Sequence, residues 1–143
     1  MANEPGQKFR ILQLIYGALF ASLFFYTGIV FFISNSWDPA TARGFGEIEF
    51  LVLTFMAVSC AAAIPIVKKV LLKKVQTDSD VTVRIQILLS AHIVTFAMAE
   101  FVVFLGIAAT FLLKNRTALF PFLGLAILLF LLHAPKRAAF DKM

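Results

Sequence analysis

The stretch SAHIVTFAMAEFVVFLGIAAT, Ser90–Thr110, decides the fold. It lies inside an apolar segment running from Ile85 to Leu113, longer than the roughly 20 apolar residues that cross a bilayer core. Glu100 falls near the middle of that segment. An acid at such depth costs at least ~2.5 kcal/mol on insertion scales, and such residues usually face a protein interior or a water-filled cavity. Its neighbours three and four residues away are Phe96, Ala97, Val103 and Phe104, and none of them pairs with a carboxylate. The partner therefore comes from another helix or another subunit, or the acid is held neutral. Two roles fit: an ion- or proton-binding carboxyl, or a neutral acid making one interhelical hydrogen bond worth about 1 kcal/mol.

Outward from this stretch the pattern repeats. With 61% hydrophobic and 15% charged residues, the 143-residue chain is no soluble domain. Its apolar residues come in blocks divided by short charged stretches, which only helices can carry through lipid, whereas a barrel strand alternates over about ten residues. The expectation is an all-α membrane protein, with four transmembrane helices in an antiparallel bundle forming one domain. The spans cover about 11–33, 48–67, 85–113 and 118–132. The first run is too long for the 7–15 apolar residues of a signal peptide and reads as a retained helix. Gly17, Ala18, Ala21 and Ser22 offer small-residue spacing for close helix contact, as do Ala57, Ser59, Ala61 and Ala63. Pro65 is expected to kink the second helix. The 17 phenylalanines suit lipid-facing packing, and Trp37 reads as an interfacial anchor.

Charge sets the orientation. The N-terminal segment, the connection after the second span and the C-terminal tail carry 10 of the 13 Lys and Arg residues. The positive-inside rule then predicts cytoplasmic N- and C-termini in an inner (plasma) membrane. Basic residues placed between spans meet lipid headgroups, so nucleic acid is not an expected partner. Glu47 and Glu49 open the second span as capping charges.

Enzyme chemistry finds no foothold in the sequence. There is no Gly-rich phosphate loop, no nucleophile elbow and no metal-ligand pair at helical spacing. The single cysteine, Cys60, sits in an apolar block and builds no disulfide framework. His92 and His133 are the candidate haem ligands. Their expected depths differ, so neither a cofactor nor a metal is expected.

Residues 57–113 resemble the proteolipid (c) subunit hairpin of rotary ATPases. The likeness rests on Ala57-x-Ser59-x-Ala61-x-Ala63, a polar turn, and Ala97-Met98-Ala99-Glu100-Phe101 followed by Phe104-Leu105-Gly106. It implies hairpins packed in a ring, Glu100 carrying the transported proton or sodium ion, and Ser59 or Cys60 facing it. The whole chain is also similar in type to small four-span bacterial membrane proteins. The expected function is a non-enzymatic integral membrane subunit, working in lipid with other membrane subunits or with copies of itself. The alternative is a proton- or cation-translocating protein. Its ion-binding candidate is Glu100, with Ser22, Ser59 and Tyr26 as hydrogen-bonding partners.

Overall fold

A computed structural model describes residues 4–77 and 80–136. Four helices follow in order: α1 (Glu4–Ser34), α2 (Ile48–Thr77), α3 (Val81–Leu113) and α4 (Leu119–Leu132), with 3-10 turns at Pro39–Thr41 and Arg116–Ala118. No strand occurs among the described residues. Part of the polar turn (Asp78, Ser79) and the basic tail from Arg137 onward lie outside them.

Three of the helices are long and apolar enough to cross a membrane. At ~1.5 Å per residue, α1, α2 and α3 each rise about 45–50 Å, more than the roughly 30 Å hydrocarbon core. The fourth is shorter. With 14 residues, α4 rises only ~21 Å. Its apolar run reaches Arg116–Leu132 once the preceding 3-10 turn is included. All four expected helices are present, and the three longest have spanning length. α2 continues as one helix through Pro65 and on past Lys68 and Lys69 to Thr77.

The ends are fixed by local chemistry. Asp80 caps α3 by accepting the Thr82 amide at 2.8 Å, which satisfies one of the free N–H groups of the first turn. At the other end of α3, Lys114 adopts a left-handed conformation, φ 50°, and turns the chain toward Asn115. The Asn115 side chain accepts from the Thr117 amide at 3.1 Å. Before α2, the Arg43 guanidinium donates to Glu47 at 2.6 Å and to Glu49 at 3.1 Å. The hydrogen bond to Glu47, then that to Glu49, hold the Arg43 guanidinium above its ordinary pKa. Arg43 also ties the two connections at this end together. Its amide donates to the Leu113 carbonyl at 2.8 Å, and its carbonyl accepts from Asn115 Nδ2 at 3.1 Å.

α3 is the helix that the other three share. Half of its most apolar stretch is buried, against 11% for α1 and 17% for α2. α2 meets it where Cys60 Sγ approaches the Met98 carbonyl at 3.5 Å. α1 and α4 meet it through rings. Tyr16 lies edge-on to Phe96 at 5.2 Å, Phe96 stacks on Phe130 at 5.7 Å, and the Tyr16 hydroxyl donates to the Phe130 carbonyl at 3.3 Å. Among the described residues, Phe9, Phe96, Phe122 and Phe130 are core residues, while others such as Phe25, Phe32 and Phe55 are exposed.

The small-residue seams fall elsewhere than expected. Gly17, Ala18 and Ala21 lie on the exposed face of α1, and α1 instead turns Leu12, Leu23 and Val30 inward. In α2, Ala57 is buried but Ser59 is exposed. Four-residue spacing reveals which residues share a face, but the larger apolar burial decides which face turns inward. The tight approach is at Gly106, where an added Cβ would lie 2.6 Å from Phe122 Cβ and 3.1 Å from Leu119 Cδ1. Gly17 has nothing within 4 Å of the same position. Gly106→Ala is therefore expected to destabilise the protein by ~1–3 kcal/mol through overpacking. Gly17→Ala should be neutral or slightly stabilising, because alanine is the better helix former. Thermal unfolding of both variants in the same detergent measures the difference, and equal midpoints would contradict the α3–α4 contact.

Candidate functional site

The site follows from the angular position of Glu100 on α3. Successive residues on a helix turn by about 100°. On that wheel the buried residues Phe96, Ala99, Val102, Val103 and Gly106 form one arc, and the exposed residues Ile93, Ala97, Phe101 and Phe104 form the other. Glu100 sits on the boundary between them and is half-buried. Its inward edge faces α1, where Ser22 Oγ lies 2.9 Å from Glu100 Oε1. The expected hydrogen bond from Ser22 is thus present, and it joins two helices at residues 78 apart in sequence.

Ser22 has a second close neighbour. Its Oγ also lies 2.6 Å from the Leu19 carbonyl oxygen. A serine hydroxyl has one proton to donate and can accept two bonds. If Glu100 is ionised, that single proton must serve two acceptors. If Glu100 carries a proton, the carboxyl donates to Ser22 and Ser22 donates to Leu19, so both contacts are satisfied at once. The arrangement is a short chain, carboxyl to hydroxyl to carbonyl, at the outer edge of α3.

The other candidates are placed differently. Ser59 is exposed on α2, and among the described residues no hydrogen bond joins it to Glu100. Its neighbour Cys60 is the one turned toward Met98, whose carbonyl it meets. Tyr26 packs its ring on Phe104 at 5.2 Å, one turn along α3 from Glu100, and no hydrogen bond to the carboxyl is formed among the described residues. Ser59 is turned away by rotation of α2, whereas Tyr26 is displaced by register. α1 and α3 run parallel, pairing Tyr16 with Phe96, Ser22 with Glu100 and Tyr26 with Phe104, so of the two α1 candidates only Ser22 is level with the acid.

The two histidines are held by their own helices. His92 Nδ1 lies 2.9 Å from the Leu88 carbonyl and His133 Nδ1 lies 3.0 Å from that of Leu129. The ring nitrogen at a carbonyl must be the protonated one. The Phe96–Phe130 stack places His92 one turn before Phe96 and His133 about one turn beyond Phe130, so they are closer in level than their sequence positions suggest. Among the described residues, no three of His, Cys, Asp and Glu converge to hold a metal ion. The Leu19 carbonyl is the participant that sequence reasoning missed. No side-chain pattern marks a backbone acceptor, although serine in a helix is known to reach back along its own turn.

A double-mutant cycle tests the pair. Ser22→Ala and Glu100→Gln should couple by about 0.5–1.7 kcal/mol, the range of hydrogen bonds inside membrane bundles. Ser59→Ala should show no coupling to Glu100→Gln. Equal coupling in the two cycles would contradict the placement of Glu100 against α1. No protein family, no curated protein and no solved structure matches this chain.

Proposed function

We propose that this chain is a small, non-enzymatic membrane subunit that works inside an oligomer or a larger membrane complex. The observation that carries the reading is the half-exposed Glu100 carboxyl on the outer edge of the central helix, met from its own chain by Ser22. A polar group at mid-helix is costly against lipid, and a neighbouring subunit packed over the boundary of α1 and α3 would remove that cost. The connections point the same way. The longest described one, Asn35–Glu47, is too short to form a soluble catalytic domain. In this reading the four helices all cross an inner (plasma) membrane, with the termini on its cytoplasmic side.

A second reading, cation or proton translocation, is favoured by the proton count at Ser22. A carboxyl that completes a hydrogen-bond chain when protonated, and leaves one acceptor short when ionised, is chemically suited to hold and release a proton. Likeness to the proteolipid hairpin supports the same role for Glu100.

Two measurements separate the readings. Chemical cross-linking in native membranes should give discrete multiples of the chain or an adduct with a distinct membrane protein, and Glu100→Leu should weaken that association. Monomer alone at every reagent concentration would remove the subunit reading. Carbodiimide, which attacks protonated carboxyls in apolar surroundings, should label Glu100 less as pH rises, and sodium should block it if the ion binds there. A carboxyl unlabelled at every pH would leave the translocation reading without support.

A further inference from the structure

A cleft opens at the far end of the molecule from the α2–α3 turn, between the two connections that Arg43 ties together. Its volume is about 350 Å³, within the roughly 300–1,000 Å³ range of small-molecule sites. Trp37 and Asp38 line it from the connection after α1, and Lys114, Asn115, Arg116 and Thr117 from the connection after α3. The walls are held in place. Trp37 lies edge-on to Phe111 at 5.3 Å, its amide donates to the buried Ser34 carbonyl at 3.2 Å, and Asn115 is bonded to the Arg43 carbonyl.

The charges around this cleft are not spent on each other. Among the described residues, neither Lys114 nor Arg116 forms an ion pair. Asp38 uses Oδ1 to accept the Ala40 amide at 2.9 Å, and among the described residues no hydrogen bond reaches Oδ2. Two cations and one carboxylate therefore line a single polar cleft. The level of the cleft is also informative. It begins at Ser34, the last residue of α1, and at Lys114, which caps α3, beside Trp37, and indole rings favour the boundary between headgroups and hydrocarbon. About one turn along the helices from the lining residues Thr117 and Ser34, Phe120 is 51% exposed and packs against Phe31 at 5.7 Å, giving an apolar strip.

We propose that this cleft holds the headgroup of a zwitterionic phospholipid that carries a primary amine. Lys114 and Arg116 take the phosphate, Asp38 takes the ammonium, and the acyl chains run along the strip at Phe120. Cationic side chains form their strongest hydrogen bonds with phosphate oxygens, and carboxylates with ammonium donors. The site is independent of Glu100 and of the function proposed for it.

Trp37 is the only tryptophan in the chain, so its emission reports on the cleft alone. The full chain in a non-ionic detergent is titrated with short-chain phosphatidylethanolamine, short-chain phosphatidylglycerol and inorganic phosphate. The expected result is a saturable change in Trp37 emission with phosphatidylethanolamine, at an affinity at least about tenfold weaker in the double variant Lys114→Gln, Arg116→Gln. Asp38→Asn should abolish the preference for phosphatidylethanolamine over phosphatidylglycerol while leaving a response to both. Circular dichroism confirms that each variant keeps its helices. The proposal is overturned by an absent response, by a response that survives the double charge variant, by a wild-type preference for phosphatidylglycerol, or by an equal response to inorganic phosphate, which would mark a site for the free anion.

Discussion

A hydrocarbon layer offers no hydrogen-bond partner, and this constraint governs the molecule. It makes the long apolar segments helical, since a helix satisfies its own backbone. It also leads most of the polar side chains within those segments to a protein partner, Thr54 Oγ1 being buried without one among the described residues. Thr95 and Thr110 return to the carbonyls four residues earlier in α3, and His92 does the same. Glu100 has no such recourse, because a carboxyl at mid-helix finds no free donor on its own turn. It reaches α1 through Ser22 instead. That single contact ties the register of α1 to α3 at the level where the Tyr16–Phe96 and Tyr26–Phe104 pairs also match.

α3 carries this arrangement because it is the most buried helix. Alanines and Gly106 let α2 and α4 approach it, while the Tyr16, Phe96 and Phe130 rings fill the wider gap between α1, α3 and α4. Glu100 lies where the buried arc ends. Oε1 of the carboxyl is therefore met by Ser22 while the residue as a whole stays half-exposed.

Much of the fold was legible in the sequence. Four apolar runs became four helices, and the boundaries at Ser34, Ile48 and Leu113 fall at or within a residue of where the charges and turn residues placed them. The third helix begins earlier than its apolar run because Asp80 caps it, and the second extends to Thr77 because lysines remain good helix formers after the apolar pattern stops. Sequence also singled out Glu100 and named Ser22 among its partners. It did not choose among Ser22, Ser59 and Tyr26, because depth is visible in a sequence but rotation about the helix axis is not. The exposed Gly17 and Ala21 show the same gap: spacing defines a face without saying what it meets.

The central claim is the rotation of α3, with Glu100 on the edge between a buried arc and an outward one. Spin labels placed singly at positions 93 to 106 in a Cys60→Ser background, in bilayers, measure it directly through their accessibility to oxygen. The account predicts a helical period, with maxima at Ile93, Ala97, Phe101 and Phe104, minima at Phe96, Ala99, Val102 and Gly106, and an intermediate value at Glu100. A flat profile, or maxima at Phe96 and Val103, would mean that α3 is turned differently and that Glu100 does not lie at the seam with α1.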